Sequence, residues 1–471
     1  MEKPKKKKID ILFVLPPYHR RNGSGTMFPL GIGSIMAFLE KENMSYDFID
    51  CTEIIETLDE ENLLFLNRAL KIELQRFDPC LVGIGPCVTP GAKGLVVVAQ
   101  CCINTFGKQI VFAGGPFTLL QSQAWFFFEK LGLKYIIKGD GEIAVCAAIK
   151  TLKSGKALCD CDCVSTPKYS KVNIIKNLDE LPFPKRIRME KYVFSDRRKL
   201  AEDGRSAHIV ASRGCPYQCD YCVSGNLRIP FRKRSVTSIV AEMEELSVKF
   251  GVTDFIFYDD CFFTSAKTAH DEIKEFCAAI KNKKLHVTWQ IEIRPDIIMC
   301  IADEEFRLLS ECGCRQMNVG VEKTYPDGAS LFGKKYDFEK LKKILAHIHD
   351  ICPILLAGTF ILGGKGETVD SVRKLIYASA NMNLDKAEYS PLFVYPDTPI
   401  YQDLFLNPRS WYEVVMQEKE AWGEVVYEYG ALSKNVLIDL VDEAYGYFYG
   451  NTNQYDSKRI QDRYRLKGLK L

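Results

Sequence analysis

The chain has 471 residues, of which 47% are hydrophobic and 26% charged, an ordinary composition for a globular protein of two or three domains. Its 63 Lys and Arg residues nearly balance its 61 Asp and Glu residues, leaving a net charge of +2, so no long-range field favours nucleic acid or an anionic membrane as a partner. No apolar run approaches the roughly 20 residues of a membrane span, and the basic run Lys3–Lys8 passes into a strand pattern without the apolar core of a secretory signal. We therefore predict a cytoplasmic protein with no membrane span and no nucleic-acid partner.

Residues 1–155 form the first predicted domain, in which short apolar strands alternate with helical patterns from residue 9 onward. This alternation predicts an α/β fold with a doubly wound parallel sheet. Such sheets bind ligands at the carboxyl ends of their strands, and here those ends are rich in Gly and Pro, which suits close approach of the backbone to a bulky ligand. The predicted strands are Ile9–Leu15, Tyr46–Ile49, Leu81–Gly85, Gln109–Ala113 and Tyr135–Ile137, and the predicted helices are Gly31–Glu42, Glu60–Phe77, Gly91–Phe106, Leu119–Lys130 and Glu142–Lys153.

Residues 156–205 interrupt the pattern and predict a linker, after which residues 206–400 resume the alternation. Six repeats are fewer than the eight of a closed barrel, so they predict a partial (β/α)6 barrel with its active-site residues in the loops after the strands. Residues 401–471 are helical and rich in aromatic side chains, and they predict a small helical C-terminal cap. The predicted strands are His208–Ser212, Asp254–Tyr258, His286–Glu292, Gln316–Val321, Leu356–Leu362 and Ala387–Val394; the helices are Ser235–Phe250, Ala266–Ile280, Asp303–Glu311, Asp337–Asp350 and Thr368–Met382, with Asp303 and Asp337 as N-caps.

The 18 cysteines of the chain indicate reduced thiols, metal ligands or small core residues, because disulfides are rare in the cytoplasm. Three of them, Cys215, Cys219 and Cys222, lie in one short loop after the first strand of the second series. Thiolates bind the irons of cubane clusters, normally four per cluster, so three local thiolates would leave one iron open for a substrate. Zinc is the competing metal, but apart from Cys219 and Cys222 themselves no further CxxC or histidine pair lies nearby to complete a closed site. Three unrelated core cysteines are the remaining possibility.

The run from Arg213 to Cys222, which includes Tyr221, resembles the cluster-binding loop of the radical S-adenosylmethionine superfamily. Further strings at successive strand ends strengthen the resemblance: Tyr258-Asp259-Asp260, Trp289 to Arg294, Gly320-Val321-Glu322, Ile361 to Thr368 and Pro396 to Pro399. The resemblance implies a [4Fe-4S] cluster on the three cysteines and S-adenosylmethionine on its open iron. It implies cofactor contacts from Tyr221, Asp259, Asp260, Arg294, Glu322 and Gly363. Cys261 and Lys365 depart from the family pattern, where Asn and Pro are frequent.

The N-terminal domain resembles that of the cobalamin-binding subfamily. The strings that carry this resemblance are Pro29 to Gly33, Val82 to Gly85 with Thr89-Pro90, Phe112 to Pro116, Lys138 to Glu142 and Leu178 to Pro182, together with Asp442 to Tyr449 near the end of the chain. The resemblance implies a cobalamin near Thr89, Gly114, Gly115, Gly139 and Glu142. The DxHxxG motif of a lower histidine ligand is absent, and His19 does not replace it. Members of the subfamily commonly lack this motif, so the resemblance implies a cobalamin without a histidine ligand. A degenerate domain that binds nothing is the competing interpretation.

Cys159, Cys161 and Cys163 alternate with Asp residues in the predicted linker. On a strand, such alternation would place three thiols on one face, where they could share a metal. No histidine accompanies them, so we interpret them as ordinary reduced thiols, with an auxiliary cluster as the competing interpretation.

The resemblance implies a reaction in which an external one-electron reductant of the flavodoxin or ferredoxin type drives reductive cleavage of S-adenosylmethionine. Our first hypothesis is a cobalamin-dependent methyltransferase that acts on an unactivated carbon of a small-molecule or peptide substrate. The second is an oxidoreductase or cyclase in which cobalamin donates no methyl group. The third is a cobalamin-binding sensor without catalysis. The extra cysteines and the nucleic-acid module of a methylthiotransferase are not evident in the sequence.

Overall fold

The structure is a computed structural model, and it describes residues 5–17, 29–88, 91–187, 205–227, 229–322, 334, 336–404 and 432–452. The chain divides into two compact units. The first unit contains the described residues between 5 and 187 together with 401–404, and the second contains those between 205 and 400 together with 432–452. None of the described helices is both long and apolar enough to cross a membrane.

The first unit is built on a six-stranded sheet, and every neighbouring pair of its strands is parallel. Its strand order is β2-β1-β3-β4-β5-β6. Ile11, Phe13 and Leu15 of β1 pack in one core cluster with α1 and α4, while Leu12 and Val14 are also buried, so both faces of the strand are covered. The doubly wound parallel sheet is thereby confirmed. The strands are β1 Lys7–Leu15, β2 Tyr46–Asp50, β3 Phe77–Ile84, β4 Val111–Gly114, β5 Tyr135–Gly139 and β6 Val172–Asn173; the helices are α1 Leu30–Lys41, α2 Glu60–Leu74, α3 Ala92–Phe106 and α4 Glu142–Lys153.

The second unit contains a six-stranded parallel sheet that curls into a half-barrel, as the sequence predicts. Its strand order, β14-β13-β12-β11-β10-β7, follows the chain, so each strand is joined to its neighbour by a crossover through helical segments. The strands are β7 Arg205–Ile209, β8 Ser212–Arg213, β9 Arg232–Lys233, β10 Val252–Phe257, β11 Thr288–Ile293, β12 Cys314–Glu322, β13 Leu355–Leu362 and β14 Lys386–Pro391; the helices are α5 Val223–Asn226, α6 Val236–Phe250, α7 Ala269–Asn282, α8 Pro295–Ile298, α9 Asp303–Glu311, α10 Phe338–Ile351, α11 Val369–Ala380 and α13 Lys434–Thr452. The short helix α12, Pro399–Leu404, begins in this unit, and its residues 401–404 are assigned to the first unit.

Two local predictions are wrong. In the segment predicted as the helix Leu119–Lys130, the 3-10 turn Gln121–Gln123 leads through two α-helical residues into the π-helical turn Phe126–Lys130, so the segment is helical but is not a regular α-helix. The rings of Phe126 and Phe127 pack on each other and on Phe117, which precedes the segment, with centroids 5.2–5.4 Å apart. Asp303 is the first residue of α9 rather than its N-cap, which is Ala302. Asp337 is an N-cap as predicted, since its carboxylate accepts a hydrogen bond from the Lys340 N–H.

The helix α13 lies against β14 and α11, and it protects the exposed edge of the half-barrel. The Tyr449 hydroxyl accepts from the N–H of Ala387 at 3.0 Å and donates to its carbonyl at 2.8 Å. The Tyr445 hydroxyl makes the same pair of bonds with Tyr389 at 3.2 and 3.3 Å. Two tyrosines thus replace the missing neighbour of an edge strand. The other part of the predicted cap, including Trp411 and Trp422, lies outside the described residues.

Candidate active site at the carboxyl ends of the half-barrel strands

The cysteine loop is closed at its base by a two-stranded antiparallel ribbon, in which β8 immediately before the loop pairs with β9 after it. Gly214 begins the loop with a φ of +81°, a conformation that strains any residue with a Cβ. Within the loop, the N–H of Cys222 donates to the carbonyl of Cys219 at 3.0 Å. The side-chain amide of Asn226 donates to the carbonyls of Cys219 and Cys222 at 3.0 and 2.7 Å. The backbone that carries the three thiols is therefore fixed by hydrogen bonds of the loop itself.

The thiols of Cys215, Cys219 and Cys222 are half-buried and close enough to interact electrostatically. Burial, with a smaller contribution from the neighbouring thiols and Asp260, raises the pKa of Cys215 to about 11. Burial also raises the pKa of Cys222. Three adjacent thiolates in this position need a strong positive partner, which is what iron ions would supply. The donor set therefore fits a cluster.

No three His, Cys, Asp or Glu side chains in the described part of the chain are grouped closely enough to hold one metal ion. A cubane cluster does not require such convergence, because its cysteines bind different irons.

Arg294 follows β11 and lies directly beside the cysteine loop. Its guanidinium stacks over the Tyr217 ring, 3.7 Å from the ring centroid, and its Nη1 lies 3.6 Å from the Cys219 sulfur. Nε donates to Asp296 at 2.9 Å. The structure therefore brings this predicted cofactor residue next to the predicted metal ligands, as a cation in a fixed orientation.

Asp259 and Asp260 follow β10, and their carboxylates have different partners. Asp260 accepts from the Ser224 hydroxyl at 3.0 Å, and its charge acts on Cys215 and Cys222. Asp259 is 3% exposed and accepts from the Ala211 N–H at 3.0 Å and the Ser212 hydroxyl at 2.5 Å. Burial raises the pKa of Asp259 to about 6, although these hydrogen bonds oppose the shift. Asp259 thus supports the backbone that leads into the cysteine loop, a function that the sequence did not indicate.

Glu322 ends β12 with a φ of +61° and interacts with Tyr221 of the cysteine loop, whose pKa is raised by burial and by this carboxylate. The ammonium of Lys334 lies 3.3 Å from the Glu322 carboxylate and donates to the Gly320 carbonyl at 2.9 Å. Lys334 is 7% exposed, so the pair is buried. Sequence reasoning missed Lys334 because it lies 12 residues beyond Glu322 and belongs to no recognisable motif.

Gly363 follows β13 with a φ of +85°. A Cβ at this position would lie 2.8 Å from a methyl carbon of Leu437 in α13. The glycine is therefore required for packing of the C-terminal helix, whatever its predicted role beside the adenine of a cofactor.

The glycines predicted to contact cobalamin lie at the carboxyl edge of the first unit's sheet. Gly114 and Gly115 lie at the end of β4, and Gly139 ends β5. Gly115 and Gly139 have φ values of +124° and +83°, and a Cβ on either would lie 2.5 Å or less from the backbone of Cys87 or Asn173. Packing of neighbouring loops therefore accounts for both glycines. Because three adjacent strands end in glycine-containing loops, starting with Gly85 after β3, this edge presents backbone over about 10 Å, which suits a flat macrocycle.

Glu142 begins α4, is 1% exposed and accepts a hydrogen bond from the Ser34 hydroxyl of α1 at 2.6 Å. This bond joins two helices on the same face of the sheet. Thr89 lies outside the described residues, as does His19.

Cys159, Cys161 and Cys163 do not lie on a strand, so the arrangement of three thiols on one face is not formed. A 3-10 turn covers Leu158–Asp160. Cys159 is exposed, Cys161 is buried and Cys163 is half-buried. The interpretation as ordinary thiols stays a prediction.

The amino-acid sequence matches a family model and is similar to proteins of known or proposed activity. Residues 209–376 match the family model described as Radical SAM superfamily. The chain is 26% identical to the uncharacterized methyltransferase PH0819 of Pyrococcus horikoshii, covering 85% of this chain and 84% of the relative. It is 24% identical to the anaerobic magnesium-protoporphyrin IX monomethyl ester cyclase of Rubrivivax gelatinosus, covering 98% and 80%.

Two solved structures share the fold. The radical S-adenosylmethionine methyltransferase TsrM from Kitasatospora setae, solved with cobalamin and a [4Fe-4S] cluster, superposes with a TM-score of 0.66 at 19% identity over 84% of this chain and 77% of that chain. The cobalamin-dependent S-adenosylmethionine radical enzyme OxsB, solved with aqua-cobalamin, gives a TM-score of 0.62 at 16% identity over 98% of this chain and 62% of that chain. At these identities the likeness concerns the fold.

Proposed function

From the match of residues 209–376 to the Radical SAM superfamily model, we propose that this chain is a cobalamin-dependent radical SAM methyltransferase. It methylates an unactivated carbon of a small-molecule or peptide substrate. The observation that carries the proposal is the loop of three half-buried thiols held beside Arg294 and Asp260. The methyltransferase relative, similar over most of both chains, supports the type of reaction.

Cys215, Cys219 and Cys222 are the proposed ligands of a [4Fe-4S] cluster. When bound, the cluster supplies one electron and an open iron for reductive cleavage of S-adenosylmethionine. The chain's contribution is to hold the thiols in a fixed loop, since Asn226 and the ribbon of β8 and β9 restrain its backbone. Asp259 holds the entry to the loop through Ala211 and Ser212.

The charged groups around the loop are proposed to bind S-adenosylmethionine. An amino-acid moiety needs an anion for its ammonium and a cation for its carboxylate, and Asp260 and Arg294 offer these charges beside the cysteine loop. A ribose diol suits a carboxylate acceptor, for which Glu322 beside Tyr221 is the candidate. Asp259 and Gly363 complete the set inferred from the sequence, and their observed contacts support the loop and α13 respectively.

The first unit is the proposed cobalamin domain. Its carboxyl edge, with Gly114, Gly115, Gly139 and Glu142, presents backbone from three adjacent strands, and Thr89 is the further candidate. When bound there, cobalamin supplies a carrier for the transferred methyl group. We propose residues 1–155 for this domain, 156–205 for the linker, 206–400 for the half-barrel and 401–471 for the cap.

The enzyme is proposed to act in the cytoplasm with an external one-electron reductant of the flavodoxin or ferredoxin type. Neither nucleic acid nor a membrane is a proposed partner, in keeping with the net charge of +2. A radical cyclase or oxidoreductase is the second candidate function, and it is favoured by the similarity to the cyclase of Rubrivivax gelatinosus along 98% of this chain.

Anaerobically reconstituted enzyme should be supplied with S-adenosylmethionine labelled in its methyl group, cobalamin, reductant and candidate substrates. Transfer of the label to a substrate carbon, together with 5′-deoxyadenosine, supports the methyltransferase. Unlabelled product with 5′-deoxyadenosine supports the cyclase or oxidoreductase. Absence of 5′-deoxyadenosine under all conditions would contradict both.

A further inference from the structure

The inner face of the half-barrel is lined by polar side chains, unlike its outer face. Along each strand the outward residues belong to the hydrophobic core, for example Ala387 and Tyr389 of β14, so the alternate residues face the inside of the curl. The polar inward residues along the sheet include Ser206, His208, Asp254, Thr288, Gln290, Glu292, Gln316, Asn318, Glu322, Thr359, Lys386, Glu388 and Ser390, and the apolar Ile256, Leu355 and Ile361 lie among them. A wall of this composition suits a polar ligand rather than a lipid or an apolar macrocycle.

The amino-terminal end of this inner face is sealed by a hydrogen-bonded layer. Asp254 is fully buried and accepts from the hydroxyls of Ser206 and Thr288 at 3.0 and 2.8 Å. Gln316, 4% exposed, donates to Gln290 at 3.3 Å. These groups satisfy one another, so they form a floor rather than a binding surface.

Lys386 and Glu388 lie above this floor on the same face of β14. Lys386 pairs in register with Ala357 of β13, and the small alanine side chain lets the ammonium reach across that strand to the Gln316 Oε1 at 2.9 Å. Of the three N–H donors on the ammonium, only this one is used by a described residue. Burial lowers the pKa of Lys386, although Asp385 and Glu388 oppose the shift. A ligand carboxylate beside the ammonium would favour its charged form.

Glu388 is exposed on the inner face, and no described residue donates a hydrogen bond to it. It influences Lys386 electrostatically, yet the two side chains form no ion pair. Their Cα atoms are two strand residues apart, about 7 Å. An anion and a cation thus face the same space with hydrogen-bonding capacity left for a ligand, next to Asn318, which donates to Glu292 at 2.9 Å.

We infer that the substrate carries a free α-amino acid group, whose carboxylate binds Lys386 and whose ammonium binds Glu388. This assignment rests on the proposed radical function and adds the substrate class to it. Free amino acids carry both of these groups. A tetrapyrrole or a lipid would instead leave the polar side chains of the inner face without hydrogen-bond partners, and each such buried group would reduce the binding free energy. The inferred pair is separate from Arg294 and Asp260, which lie beside the cysteine loop.

The test is a binding measurement on reconstituted holoenzyme with S-adenosylmethionine and without reductant, using each of the L-amino acids and its N-acetyl amide as probes in anaerobic calorimetry. At least one free amino acid should bind, with its blocked form at least about tenfold weaker, because each lost charge-assisted hydrogen bond is worth roughly that factor. Lys386→Met and Glu388→Gln should each weaken binding about tenfold. The matched controls Lys343→Met and Glu339→Gln, on the exposed outer face of α10, should bind as the unmodified protein does.

Absence of binding by every amino acid, equal binding of the blocked forms, or unchanged affinity in the Lys386 and Glu388 variants would overturn the assignment. Cluster absorbance and reductive cleavage of S-adenosylmethionine, measured without amino acid, report on the proposed function separately. Loss of those two signals would contradict the radical function, whereas their retention without amino-acid binding would contradict only the substrate class.

Discussion

Asp259 and Asp260 show how adjacent residues of one type acquire different functions from their positions. Both carboxylates follow β10, and the sequence motif treats them alike. Asp259 is buried against Ala211 and Ser212, whereas Asp260 bonds Ser224 and acts on the cysteines. The sequence identified both aspartates but not their different contacts, because the direction of each side chain depends on where β10 ends.

Replacing Asp259 by Asn should make stability less dependent on pH. The folded-state pKa of Asp259 is raised to about 6 from an ordinary value near 3.9, so the protonated form is favoured in the fold. The stabilisation of the fold by protonated Asp259 is therefore fully present below about pH 4 and is lost as the pH rises through about 6. The free energy of unfolding of the Asp259→Asn variant, relative to the unmodified protein, should increase by at most about 2–3 kcal/mol between pH 4.5 and 7.

Denaturant titrations at several pH values measure this difference. Asp350→Asn, at an exposed position of α10, provides the control. A stability difference between the Asp259→Asn variant and the unmodified protein that is independent of pH would contradict a raised pKa for Asp259.

The buried pair of Glu322 and Lys334 gives a second residue-scale prediction. Their side chains are only 12% and 8% exposed, so removing one partner leaves an uncompensated charge. Lys334→Met or Glu322→Gln alone should reduce the free energy of unfolding by about 3–5 kcal/mol. The double variant should recover a large part of that loss, as measured by a double-mutant cycle. Additive losses in the double variant would mean that the pair is not coupled.

At the scale of elements, the predictions succeeded where the hydrophobic period extends over several residues. Five strands of the first unit and six of the half-barrel were predicted, and each predicted range overlaps the observed strand, although some bounds differ by three or four residues. The strand β6, Val172–Asn173, was missed because two residues carry no periodicity. The predicted α-helix Leu119–Lys130 is replaced by a 3-10 turn and a π-helical turn, because hydrophobic periodicity does not distinguish these types of helix.

Packing of α13 against β14 should depend on the Tyr449 hydroxyl. The Tyr449→Phe substitution removes the hydrogen-bond partner of the N–H and carbonyl of Ala387, and it should reduce the free energy of unfolding by about 1–3 kcal/mol. Tyr445→Phe should cost less because its bonds are longer. Tyr169→Phe, whose hydroxyl donates to an exposed carbonyl, should change stability little. Equal effects in all three variants, measured by denaturant unfolding, would contradict the proposed edge protection.

At the scale of the whole molecule, the sequence predicted two α/β units and the residues around the cysteine loop, because strand ends in parallel sheets gather motif residues that are distant in the chain. It could not predict Lys334, because this residue lies 12 positions from its partner Glu322 and belongs to no recognisable motif. Nor could it predict that Lys386 reaches Gln316 across β13, since this contact requires the small Ala357 in register.

The proposed function requires that Cys215, Cys219 and Cys222 bind a four-iron cluster with one iron open to S-adenosylmethionine. Low-temperature electron paramagnetic resonance of the anaerobically reconstituted, reduced protein tests it most directly. We predict a signal of a reduced [4Fe-4S] cluster whose g-values shift when S-adenosylmethionine is added, and loss of that signal in the Cys219→Ala variant. An absent signal, or one that S-adenosylmethionine leaves unchanged, would contradict the account.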